Sequence, residues 1–225
     1  MLIRENGRMR LLDGWTEKIP LAVTLVPFDS EAIQLGTPGF QLASILEQIQ
    51  RATAEARRLV LERSAQELTA RLEPESWSSA ECLDHLTQTT KSFLPAILTA
   101  IAAAPKFTTV RPLRTGTIAS LLIRNLEPPY RLRYRVLRNL VPKEKDFDAA
   151  WLGFEESQSR LLTTVRSAAG LAIDKVKVQC PVNAHLTYNV YGAFRMLAAH
   201  ERRHLWQIQQ ILATLDGKRR QKPTL

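Results

Sequence analysis

His200 and His204 stand four residues apart. On a helix that spacing puts two imidazoles one turn apart on the same face. The face also carries Ala193, Leu197, Ile208, Ile211 and Leu215, so both rings are directed toward a packed interior. A third histidine, His85, falls on an apolar stripe with Cys82, Leu86, Phe93, Ile97 and Ile101. Inward imidazoles are costly unless their ring nitrogens find partners, and a divalent metal ion is one such partner. Three protein ligands with a fourth position open describe a reactive zinc-type site rather than a closed structural one. For a single core histidine the bland reading is a hydrogen bond to a carbonyl or carboxylate. Three of them on facing stripes favour the metal.

The run His200-Glu201-Arg202-Arg203-His204 also satisfies H-E-x-x-H, in which the glutamate of a zinc protease is the general base. Its context is wrong for that chemistry. Gln207 and Gln210 stand where the extended motif needs Gly and His, and Asp216 is the only acid downstream. Glu201, one residue past His200, is expected to point away from the core stripe. No catalytic side chain is assigned. His185 is read as a loop or helix-entry residue. Cys82, one turn before His85, is read as a small buried hydrophobe rather than a further ligand.

These residues need long helices to place them. A first helix is expected from Gln41, on the spacing of Leu42, Ile45, Leu46, Ile49, Ala52, Ala56, Leu59, Ala65, Leu68 and Leu72, ending at Pro74. A second opens at Ser78, where Glu81 completes a capping box, and closes at Pro105. A third runs from about Asp148, the expected cap, to Ala169, with Gly170 as its stop. A fourth covers 187–215 and ends at Gly217. Between the second and third lies a long crossover at 105–146, broken by Pro112, Gly116, Pro128, Pro129 and Pro142. Short helices are expected in it near 117–126 and 130–140. The fold class is therefore all-α: a four-helix bundle in which so long a connection lets the third helix run parallel to the second, up-down-down-up. Residues 1–40, with a β-like run at 19–28 and the breaker GTPG at 36–39, read as an N-terminal extension. The bundle domain is placed at 41–216, and 217–225 form a basic tail.

Composition sets outer limits. The chain has 225 residues, 45% of them hydrophobic, enough for one domain with a core that needs no disulfides. Two cysteines, Cys82 and Cys180, make no framework. The longest apolar stretch, 94–104, is about half a bilayer span, so no membrane is expected and a cytoplasmic location is. The net charge of +9 is local: 106–145 hold ten Lys or Arg against Glu127 and Glu144. Aromatics for base stacking are few there (Phe107, Tyr130, Tyr134), so no nucleic-acid partner is expected. Arg131, Arg133, Arg135 and Arg138 are expected to form a solvated face.

The segment P-E-S-W-S-S-A-E-C-L-D-H-L at 74–86 resembles the second-helix signature of the DinB-like superfamily. There a Trp precedes a capped helix that carries a histidine ligand followed by Leu. The segment Y-G-A-F-R-M-L-A-A-H-E-R-R-H-L-W-Q-I at 191–208 is similar to that family's last-helix motif. The resemblance implies an up-down-down-up bundle with His85, His200 and His204 as ligands of a divalent ion, whether zinc, nickel, iron or manganese. Characterised relatives include bacillithiol transferases and a mycothiol-dependent maleylpyruvate isomerase. The implied partners are thus a low-molecular-weight thiol and an electrophilic substrate, with a homodimer allowed for. The alternative is a metal-binding protein without turnover.

Overall fold

Most of the helices begin where a side chain satisfies an orphaned amide of the first turn. The computed structural model describes residues 2–5, 8–11, 36–128, 130, 140–181, 183 and 185–220. It is predominantly helical, as an all-α chain is expected to be, and the described residues also form two small antiparallel pairs. One pair is β1 (Leu2–Glu5) with β2 (Arg8–Leu11), in which Leu2 faces Leu11. Helix α1 (Pro38–Val60) starts earlier than expected, inside the Gly-Pro stretch read as a breaker. Thr37 accepts a hydrogen bond from the Phe40 amide, and Pro38 sits in the first turn, where a missing N–H costs nothing.

The expected continuous first helix is corrected. It stops at Val60, Glu62 takes a positive φ of 63°, and Ser64 opens a separate short helix, α2 (Ala65–Thr69). Ser64 and Glu67 form a capping box of their own, which favours a fresh start over continuation. The other box falls where the sequence places it. Ser78 caps α3 (Ser79–Ala102): its amide donates to Glu81 Oε2 at 2.9 Å, and the Glu81 amide donates to Ser78 Oγ at 3.2 Å.

In the crossover, α4 (Thr117–Leu126) matches the expected helix and is entered through Gly116 at φ 80°. The second expected crossover helix, at 130–140, lies largely outside the described residues, as do the β-like run at 19–28 and Arg131, Arg133, Arg135 and Arg138. Helix α5 (Phe147–Ser167) is capped by Asp146, two residues before the cap expected, through a 3.0 Å bond from the Ala149 amide. The extended piece after Gly170 becomes β3 (Lys177–Gln179), paired with β4 (Thr187–Asn189). That pairing takes the first residues expected for the last helix. Helix α6 (Val190–Arg220) then runs on through Gly217, because one glycine lowers helix propensity without removing a hydrogen bond.

Helix α3 packs against α5 and α6, α1 against both α5 and α6, and α4 lies on α6. Gly192 permits that last contact: a Cβ there would come within 2.6 Å of Ala119 Cβ and 2.7 Å of the Thr115 carbonyl oxygen. The lead into α5 meets the first turns of α3, where the Lys143 amide donates to Asp84 at 2.7 Å. Beyond their far ends the Ala172 amide donates to the Pro105 carbonyl at 2.8 Å. Two apolar clusters form the core. One gathers Ile45, Ile49, Phe93, Ile97, Leu161 and Phe194, with other residues. The second gathers Ala56, Leu83, Phe147, Trp151, Phe154 and Ile208, with other residues.

Candidate metal centre

A layer of buried polar side chains lies between the two apolar clusters. Helix α3 brings Asp84, His85, Thr87, Thr89 and Thr90 to it, α5 brings Ser157 and Gln158, and α6 brings Glu201 and His204. The capping box at Ser78 sets the start of α3, and two turns later its inner stripe carries His85 between Leu83 and Leu86. On α6 the i, i+4 spacing delivers His200 and His204 to the same place.

The three imidazoles converge as expected. His200 Nε2 lies 3.2 Å from His85 Nε2 and 3.1 Å from His204 Nε2. One ring nitrogen from each histidine can be chosen so that all three lie within 4.8 Å of one another. The outward nitrogens of His85 and His204 are spoken for. His85 Nδ1–H donates to the Leu140 carbonyl at 2.7 Å, and His204 Nδ1–H donates to Gln207 Oε1 at 3.0 Å. Those bonds commit both protons to Nδ1 and leave both Nε2 lone pairs facing inward. His200 Nε2 carries at most one proton, so the three nitrogens cannot satisfy each other.

Burial reinforces this. It holds the His85 ring below its ordinary pKa, against the opposing pull of the Leu140 carbonyl. It pushes His200 down to about 3, with His85 adding to the effect, and holds His204 well below 6.5 beside its two neighbours. Neutral rings with inward lone pairs, spaced as ligands about 2.1 Å from one centre would be, suit a cation. The cluster His85, His200 and His204 could hold a metal ion.

Trp77, half-buried just before the cap, covers one side. Its ring centroid is 4.8 Å from that of His85 and 6.0 Å from that of His204. Three partners of the site escaped the sequence reading. The Leu140 carbonyl is a main-chain group with no residue signature. Gln207 was legible, since it lies three residues after His204 on the same helix face. Trp77 could be named from the motif, but its contact with the rings could not.

Glu201 is the main correction. It does not point away from the core; it is 2% exposed and accepts a 2.8 Å hydrogen bond from Gln158 Nε2 on α5. Its other oxygen has no hydrogen-bond partner. Helix α6 packs against α1, α3 and α4, so more than one of its faces is buried, and Gln158 of α5 reaches across to Glu201. Burial raises the Glu201 carboxyl to about 8, although the Gln158 bond works against it. Thr53 on α1 donates to Gln158 Oε1 at 3.3 Å, so this chain of contacts leads from the glutamate toward α1 and α5.

His185 is exposed in a turn and does not join the cluster. Cys82 is buried among apolar side chains, and burial pushes its thiol well above the ordinary value, as suits a packing residue. In the basic crossover Arg111 is paired with Asp174 through two bonds of 2.6 and 2.8 Å. Among the described residues no helix is long and apolar enough to cross a membrane.

Comparison with curated proteins and with solved structures returns no match to either. The family model of the DinB superfamily matches residues 48–208, which include all three histidines, and the chain belongs to that superfamily.

Proposed function

We propose that this DinB-superfamily chain is a four-helix bundle in up-down-down-up order that binds one divalent ion through His85, His200 and His204, and that it is a metal-dependent transferase using a low-molecular-weight thiol. The convergence of three Nε2 atoms, two with their protons committed to Nδ1, carries the metal reading. For the topology, the support is that α3 and α5 meet near their beginnings at Asp84 and Lys143 and beyond their ends at Pro105 and Ala172. Helices α3 and α6 are matched in opposite order, with His85 beside His200 and Phe93 beside Tyr188 just before α6.

A divalent ion held by three imidazoles supplies one open position that lowers the pKa of a bound thiol, so that the nucleophilic thiolate persists near neutral pH. The chain's own part is positional. Leu140 and Gln207 fix the tautomers of His85 and His204, and Trp77 walls one side with an apolar face. Arginines of the crossover attract the carboxylates that small thiols carry, so thiol binding weakens as salt rises.

The test begins with elemental analysis of protein purified without an affinity tag, beside His204→Ala. Stoichiometric metal in the first and loss in the second are expected. Cobalt- or nickel-loaded protein is then titrated with bacillithiol, mycothiol and glutathione, and a metal-to-sulfur charge-transfer band is followed. If no thiol perturbs the metal, the non-catalytic metal-binding reading takes its place. Glu201→Gln should retain metal and thiol binding, whereas a zinc protease would keep its metal and lose peptide hydrolysis.

A further inference from the structure

His85 is preceded by Asp84, and the two side chains leave α3 about 100° apart, as consecutive helical residues do. His85 turns toward α6, and Asp84 turns toward the strap that ends the crossover. Asp84 is buried, yet all its hydrogen bonding goes to donors around it. Oδ2 accepts from the Lys143 amide at 2.7 Å and the Glu144 amide at 3.2 Å, and Oδ1 accepts from Gln88 Nε2 at 3.2 Å. Three residues earlier in the same strap, the Leu140 carbonyl accepts the Nδ1 proton of His85 at 2.7 Å. Neighbouring side chains of α3 therefore grip the two ends of 140–144, with Pro142 stiffening the span between them. The strap leads straight into α5, since Glu144 Oε1 accepts from the Asp146 amide at 2.8 Å and Asp146 caps that helix.

We infer that Asp84 is a positioning residue of the metal centre: it holds the strap so that the Leu140 carbonyl fixes His85 in the tautomer whose Nε2 lone pair faces His200 and His204. The inference rests on the metal reading above and adds a linkage to it. An ion on Nε2 excludes a proton there, so the ring proton must sit on Nδ1, where the Leu140 carbonyl receives it. Metal binding then tightens the strap. By the reciprocity of linked equilibria, loosening the strap weakens the metal. Buried carboxylates with several amide donors also occur purely to hold a turn, and the two roles differ in what the metal does to the strap.

The experiment measures Zn(II) affinity by competition with a chromophoric chelator for wild type, Asp84→Asn and Asp84→Ala. Alongside it, hydrogen exchange at the Lys143 and Glu144 amides is followed with Zn(II) and with chelator. Loss of an outer partner of this kind costs roughly 10–100-fold in affinity, the drop expected for Asp84→Ala. Asp84→Asn keeps an acceptor oxygen for the two amides and should restore most of it. In wild type the two amides should exchange more slowly with Zn(II), and in His204→Ala, which leaves the strap untouched, Zn(II) should no longer slow them. The wild-type exchange arm decides the question even if Asp84→Ala fails to fold. Should wild type bind Zn(II) while its strap amides ignore the metal, or Asp84→Ala keep full affinity, the positioning role is overturned alone. A wild-type chain that binds no Zn(II) overturns the metal reading and this inference together.

Discussion

The apolar clusters at either end of the core and the polar layer between them are built on the same long helices, yet they serve opposite ends. In the clusters, side chains such as Phe154, Leu161 and Phe194 are wholly buried and need only fit one another. In the layer, His85 is 3% and His204 8% exposed, and beside them Glu201 keeps a carboxyl oxygen with no hydrogen-bond partner. Burying such groups costs stability unless each finds a partner. The ends supply the stability that lets the middle hold neutral, lone-pair-bearing rings close together.

Damage to an end should have the largest effect. Phe154→Ala should lower the unfolding free energy by about 3–5 kcal/mol, the usual cost of emptying an aromatic site in a packed core. Urea unfolding of metal-free protein measures it, and a loss under about 1 kcal/mol would mean that this cluster does not carry the fold. The middle should behave differently. Zn(II) at about a hundred times its dissociation constant should raise wild-type stability by about 2.7 kcal/mol, and His204→Ala should forfeit that gain. Paired thermal melts with and without the ion read the difference.

The titrating groups of the layer give a pH signature for the metal-free protein. His200 has its folded pKa lowered to about 3, and His85 and His204 are lowered in the same direction. Between about pH 3 and 6.5 the unfolded chain binds protons on these rings that the folded chain does not. Stability therefore climbs with pH across that window. Glu201 works the other way. Its folded carboxyl keeps its proton up to about 8 while the unfolded one releases it near 4.5, so its contribution falls between those values. Above pH 6.5 only Glu201 among these four still changes, and stability should decline toward pH 8 by on the order of 1–2 kcal/mol. Glu201→Gln should abolish that decline, and denaturant midpoints at several pH values test it. The smallest effect expected is at the cap that sets the start of α3. Ser78→Ala should cost about 1 kcal/mol. If it also loosens Zn(II) binding, the register of α3 contributes to the site as well as to the fold.

Much of this architecture was open to a reading of local pattern. Caps, apolar periodicity and histidine spacing are relations among residues a few positions apart, and each has a defined meaning on a helix. From them came the start of α3, the crossover helix α4, and the placing of His85, His200 and His204 on inward faces. One error was also local. Ser64 and Glu67 repeat the signature of Ser78 and Glu81, yet the apolar spacing through Leu68 and Leu72 suggested an unbroken helix. The remaining features depend on groups brought together from afar. Glu201 could not be placed by the stripe on its own helix, because α6 packs on more than one face and Gln158 of α5 meets the carboxyl from a distant part of the chain. The Leu140 carbonyl carries no side-chain signal, and it meets His85 only because the lead into α5 folds onto the start of α3. Side-chain chemistry and helical period together determined which residues could bind a metal. Tertiary packing decided which nitrogen of the His85 ring faces inward, because a backbone acceptor 55 residues away in sequence fixes its tautomer.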